Sequence, residues 1–255
     1  MATSTQGHTI GRNTFVGTPK VTGGIWLVPQ NVALPTDATS ERPPEAVRLG
    51  GVSDEGYTYS EERSTDKKMD WNGDKVRSLQ TSKDDSFEIT FIEFLNPAVM
   101  GVLYGSDNVT VTPATSTAGT EIAVRHVSDQ LEHGSYIIDT FDGKTKRRRV
   151  IPDAQPASIE PIVEKPGDWS VYKVMFDIYP DSQGVTSYSY TVLDDATGTT
   201  PLGVNVKGET VHDTAKAANA DRVAGVTAEV EKVEPVAPVA PVADKAPAAA
   251  PAQAK

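Results

Sequence analysis

Residues 84–105 (DDSFEITFIEFLNPAVMGVLYG) constrain the fold more than any other stretch, because two periodicities meet in them. Phe87, Ile89 and Phe91 alternate with Glu88 and Thr90. A strand would send the three apolar side chains to one face and the two polar ones to the other. The period then changes. Asn96 is a good helix N-cap and Pro97 a good first helical residue. Val99, Val102 and Leu103 are spaced for one helical face, and Gly105 is suited to end the helix at positive φ. The stretch predicts a half-buried strand running into one short helix.

The rest of the chain repeats the strand half of that pattern. Residues 24–29, 46–49, 54–61, 67–71, 75–80, 121–127, 135–141, 144–151, 158–163, 169–179 and 187–193 read as strands, with briefer strand character at 109–111. Asn72-Gly73 and Asp142-Gly143 are two-residue hairpin signals. In 169–179, Ser170, Tyr172, Val174, Phe176 and Ile178 share one parity and are expected to face inward, with Trp169, Val171, Lys173, Met175, Asp177 and Tyr179 outward. Residues 31–45 contain Pro35, Pro43 and Pro44. A proline denies a ladder its donor, so this segment is expected to be a loop. Many strands, frequent turns and one helix predict a mainly β domain, a sandwich or barrel-like arrangement with one flanking helix.

Three parts are expected. Residues 1–20 are polar and glycine-containing and read as a mobile arm. Residues 21–193 hold nearly all the aromatics and read as the β domain. Residues 194–255 include an Ala-rich stretch at 211–228, suited to a frayed helix, and the repeat EPVAPVAPVA at 234–243. Such a composition cannot bury a core and favours an extended, solvated chain, so this extension is expected to be dispensable for folding. The mean hydropathy of −0.35 agrees with a chain that does not pack along its whole length.

The residues show no catalytic constellation, cofactor motif or metal-ligand set; no enzyme, cofactor or metal is expected, and chemistry by itself leaves the function open. There is no cysteine, which excludes disulfides and thiolate catalysis. His8, His126, His133 and His212 include no pair at helical metal-binding spacing. The acidic pairs Asp54/Glu55, Glu61/Glu62, Asp84/Asp85 and Asp194/Asp195 are sequence neighbours, which a strand sends to opposite faces, so no glycosidase-like couple is expected. Gly23-Gly24 and Gly50-Gly51 do not fit a phosphate loop and read as turns. No apolar run is long enough to span a membrane, and the first residues lack the apolar core of a secretory signal. A net charge of −11 argues against binding nucleic acid by neutralising phosphates. Trp26, Trp71 and Trp169 are expected to anchor core or interface. The sharpest charge feature is Lys144-Thr-Lys-Arg-Arg-Arg149 after the second hairpin turn. Alternation sends Lys144, Lys146 and Arg148 to one face and Arg147 and Arg149 to the other, so no single basic face results.

Three features, in order, resemble the major tail (tail tube) proteins of long non-contractile-tailed phages, especially those of actinobacterial hosts. The first is LGGVSDEGY at 49–57, followed by Glu61-Glu62 and the Trp71-Asn-Gly73 turn. The second is FEITFIE at 87–93, running into Asn96-Pro-Ala-Val and closing on Tyr104-Gly105. The third is the aromatic-rich segment 169–179. The resemblance covers roughly 21–193 and does not extend into 194–255, which is too poor in aromatics for the immunoglobulin-like domain some relatives carry.

The resemblance implies two packed β-sheets flanked by a helix, a fold shared with the type VI secretion tube protein. It also implies an N-terminal arm and a long loop that order on assembly. Subunits would form hexameric rings that stack into a tube, the conduit for genome ejection. The implied partners are other copies of the chain, a tape measure protein, and tail terminator and tip proteins. DNA would pass without specific binding and no membrane would be involved. The implied location is the virion tail, with assembly in the host cytoplasm. An open head-to-tail interface of this kind makes a filament. Residues 1–20 and the Pro-rich loop are the expected polymerisation segments.

On that reading the candidate subunit-interface residues are Lys144, Lys146, Arg147, Arg148 and Arg149, with Glu61 and Glu62 as acidic counterparts. The candidate channel-facing residues are Glu88, Thr90, Glu121 and Asp139, because an acidic wall repels phosphate. The alternatives are a secreted carbohydrate-binding or hydrolytic β-sandwich, and a capsid decoration or adhesion protein.

Overall fold

The computed structural model describes residues 14–19, 24–194, 216–217 and 219–220. Ten strands and one α-helix follow in the order β1 (Ile25–Val28), β2 (Val47–Arg48), β3 (Val52–Met69), β4 (Lys75–Phe91), α1 (Pro97–Tyr104), β5 (Val109–Thr112), β6 (Glu121–Val124), β7 (Gly134–Asp142), β8 (Thr145–Ile159), β9 (Tyr172–Tyr179) and β10 (Tyr188–Val192). The expected mainly β architecture with one helix is what forms.

Eight strands make one antiparallel sheet in the order β2-β1-β7-β8-β9-β4-β3, with β10 also paired to β8. Strands β5 and β6 form a separate small sheet against α1. β8 organises the large sheet. Residues 146–150 pair with β10, and residues 153–159 pair with β9. Pro152 lies where the partner changes, at a register break with β7, and Pro156 lies at a second break within the pairing to β9. A proline has no N–H for the ladder, so such positions suit a bend.

The bend folds the sheet over its own apolar face. Phe87, Ile89 and Phe91 of β4 and Tyr172, Val174, Phe176 and Ile178 of β9 meet Tyr136 and Ile138 of β7 and Ile151 of β8 in one buried cluster. The parity expected for 169–179 holds over the part that forms a strand, 172–179: Val174 and Phe176 are fully buried, and Met175 is exposed. Each such side chain removed from water contributes about 1.5–3 kcal/mol. Helix α1 closes the cluster with Val99 and Leu103. Asn96 caps it, its Oδ1 accepting from the Ala98 N–H at 3.0 Å, and Gly105 ends it at φ 90°.

The two ends of the resemblance motif also lock together. The Glu93 carboxylate accepts hydrogen bonds from the Gly51 N–H (2.7 Å), Arg48 (3.1 Å) and Asn96 (2.9 Å). A Cβ built on Gly50, at φ 83°, would collide with that carboxylate. Here glycine is required by both backbone and space.

Several expectations are corrected. Residues 31–45 do not wait for a partner. They lie over the other face of β1, β7 and β8, where Leu34 and Ala38 complete a second apolar cluster with Val28, Ile137, Val150, Tyr188 and Tyr190. The segments expected at 54–61, 67–71 and 75–80 are parts of two very long strands. Their turn is organised by Asp70, whose Oδ1 accepts from the N–H groups of Asn72 (2.9 Å) and Asp74 (2.7 Å). The second hairpin turn is Gly143-Lys144, one residue later than expected. Residues 160–171 carry no strand, and Trp169 is exposed. In the arm, Thr18 is bridged to Phe141, with backbone bonds of 3.0 and 2.8 Å. Residues 1–13 and the 234–243 repeat lie outside the described residues. In the expected frayed helix, residues 216–217 and 219–220 are helical. Asn219 holds Leu34 by both backbone groups, accepting from its N–H (3.0 Å) and donating to its C=O (2.8 Å).

Candidate functional site

The most unusual surface is built by β3 and β4. β9 pairs with β4 only from Asp85 to Phe91, so the pairing from Met69↔Lys75 down to Glu62↔Asp84 has no third strand. This ribbon is about 25–30 Å long at the usual rise per residue. Residues 61–81 are exposed on both faces. Its tip presents Trp71, fully exposed, with Met69 59% and Val76 69% exposed. A two-stranded ribbon with no buried face has little stability of its own. The signal in the sequence was the run of charged residues on both sides of Asn72-Gly73 with no apolar parity.

The second surface is the polar face of β4 and β9. Glu88 and Thr90 lie opposite the Phe87/Ile89/Phe91 face, as expected. Lys173 joins Glu88 (3.3 Å) and Glu160 (2.9 Å), and these carboxylates raise its pKa above the ordinary lysine value, Glu160 most. Asp177 pairs across from Ser86 on the same face. Thr90, also expected to face the channel, is instead buried. Glu121 belongs elsewhere. It opens β6 in the small sheet beside α1, on the apolar side of the large sheet.

Asp139 is not on that face either, which corrects the expectation of a channel-facing carboxylate. It is buried and accepts from Arg148 Nε (2.7 Å) and Arg42 Nε (2.8 Å). Arg148 is buried with it and also donates to the carbonyls of Ser40 (2.9 Å) and Asp37 (3.2 Å). The pair therefore pins the Pro-rich loop to the sheet. Strand alternation assigned the face correctly; what it could not register was the loop covering it.

The basic cluster divides accordingly. Arg148 is committed inside the protomer. Arg149 stacks over Tyr59 at 3.7 Å, and Arg147 lines a cavity of about 350 Å³ with Tyr57 and Tyr59. Lys144 and Lys146 are exposed, Lys144 lying 3.8 Å from Asp194. Glu61 lies 3.6 Å from Arg63 on its own strand, and Glu62 stands exposed opposite Asp84. The structure thus leaves Lys144, Lys146, Glu61 and Glu62 available to a partner and withdraws Arg148.

Among the described residues no group of three or more His, Asp or Glu side chains is placed to hold a metal ion, and no helix is long and apolar enough to cross a membrane. No protein-family model and no curated protein matches the sequence. Among solved structures, the fold is similar to the tube-terminating cap of the anti-feeding prophage, at 10% identity over 75% of this chain and 100% of that one, TM-score 0.40. It is also similar to a chain of the PVC sheath–tube complex, an extracellular contractile injection system in its extended state. That match has 10% identity over 68% of this chain and 91% of the other, TM-score 0.33. At these values neither likeness assigns a function.

Proposed function

We propose that this chain is a tail-tube subunit. Copies assemble into stacked rings, six to a ring by the sequence resemblance, and enclose a conduit for the genome. The observation that carries the reading is the β3–β4 ribbon, a long projection wet on both faces and tipped by a fully exposed tryptophan. Such an element gains its stability by lying on another molecule. β3 is also the edge of the large sheet, and an unpaired edge is a template for association.

The polar face of β4 and β9 supports the second half of the proposal. Glu88, Glu160 and Asp177 outnumber Lys173 and make it acidic. Facing a channel, it would offer DNA no counterion-releasing contacts, so phosphate would pass without being held. Tape measure, terminator and tip proteins are the further partners this role requires.

The test is negative-stain microscopy of the purified chain at rising concentration, beside a variant whose ribbon is shortened by replacing residues 65–79 with a two-residue Asn-Gly turn. Rings or tubes are expected from the first and folded monomers from the second. A wild-type chain that stays monomeric at every concentration overturns the proposal.

A further inference from the structure

The protomer carries an apolar hollow remote from the polar face. Helix α1 forms one wall with Pro97, Ala98 and Val102, and Leu27, Val47 and Val111 contribute others. Its volume is about 420 Å³, within the range of about 300–1,000 Å³ that takes an organic group of several rings or fewer. Val47 and Val111 at its mouth are 44% and 42% exposed. Glu132 also lines it and makes no ion pair or hydrogen bond among the described residues.

The ribbon tip has the complementary chemistry. Trp71 is an isolated, fully exposed ring on a turn held by the Asp70 carboxylate. The acidic chain becomes basic here. Residues 63–79 hold the cations Arg63, Lys67, Lys68, Lys75 and Arg77 against the carboxylates Asp66, Asp70 and Asp74. Lys67, Lys75 and Arg77 have no ion pair among the described residues. One chain therefore carries an aromatic anchor flanked by cations and, on a separate part of its surface, an apolar hollow with an uncommitted carboxylate at its edge.

We infer that Trp71 of one subunit seats in the α1–β1–β5 hollow of a neighbouring copy, with the ribbon cations around Glu132. The inference rests on the self-assembly reading above and identifies its anchor. Plug and socket lie on different parts of one chain, so the contact is heterologous and repeats without closing on a pair. Tryptophan suits the part, since a buried indole removes a large apolar area for little conformational cost.

The chain has no cysteine, so introduced ones report directly. Asn72→Cys/Val111→Cys, which keeps the Trp71 ring and places the thiol beside it, is concentrated and oxidised, and run on a non-reducing gel. A ladder extending beyond dimers is expected, because each subunit supplies both halves, whereas either single variant stops at dimers. Asn72→Cys/Val47→Cys is the second pair, should the first fail to assemble. Wild-type rings or tubes with no ladder from either pair overturn this inference and leave the self-assembly reading standing. A wild type that never assembles removes both.

Discussion

The rings of Phe87 and Tyr136 lie 5.4 Å apart, edge to face at 63°, although two strands separate β4 from β7 in the sheet. Three strand spacings in a flat sheet amount to about 14 Å. The contact exists because the sheet folds over at β8, and Phe176 completes it, stacked on Phe87 at 4.6 Å and edge-on to Tyr136 at 5.1 Å. The sandwich has two layers made from one sheet.

That triad sets the first prediction. Phe87→Ala removes a ring that touches both layers, and it is expected to cost about 3–5 kcal/mol. Met175→Ala, on the exposed face of the neighbouring strand, should cost less than about 1 kcal/mol. Urea unfolding of the two variants checks the difference; equal losses would mean the layers do not meet at Phe87.

Breaking the Asp139–Arg148 pair has a different signature. Asp139→Ala leaves Arg148 buried without its carboxylate, and a loss of about 3–5 kcal/mol is expected. The double variant Asp139→Leu/Arg148→Met should recover part of it, because the buried arginine goes with its carboxylate and the remaining one, Arg42, is 29% exposed and reaches water. Proteolysis within residues 31–45 should accelerate in the single variant, since Arg148 also holds that loop by two carbonyls.

Acid should loosen the same loop. The backbone N–H groups of Ser40 and Thr39 hold the Asp37 carboxyl down to about 2, from an ordinary 3.8. Asp85 is also lowered: burial pushes it up, but hydrogen bonds from Lys83 and Thr186 outweigh that. A depressed folded-state pKa gives stability that is complete above the unfolded value and is lost as pH falls through the folded one. Unfolding midpoints should therefore be flat above about pH 5 and fall between about pH 4 and 2. Asp37→Asn should reduce that fall by about 1 kcal/mol, discounted for solvent screening. An unaltered acid limb would exclude Asp37 from it.

One contact gives the extension an expected share in stability. Asn219 satisfies both backbone groups of Leu34, so Asn219→Ala is expected to cost about 1–2 kcal/mol. A chain ending at residue 195 should show the same loss, and one ending at 225 should not. Equal thermal midpoints for all three would return residues 194–255 to the status of a passenger.

The sequence alone determined whatever depends on neighbours a few residues away. The strand 87–91, the cap at Asn96, the end of the helix at Gly105 and the inward parity of 172–178 all follow from period and capping chemistry, which act over one or two turns. So did the two faces of the Lys144–Arg149 run. What tertiary structure decided was which polar faces stay wet. Asp139 and Glu88 are both polar residues on strands, yet one is buried beneath a loop from 97 residues earlier in the chain, where it meets Arg42, and the other remains at the surface. The fold-over at Pro152 and Pro156 and the Asn219 contact are of the same kind. Each depends on which distant segment arrives, and a long-range contact leaves no period in the residues that make it.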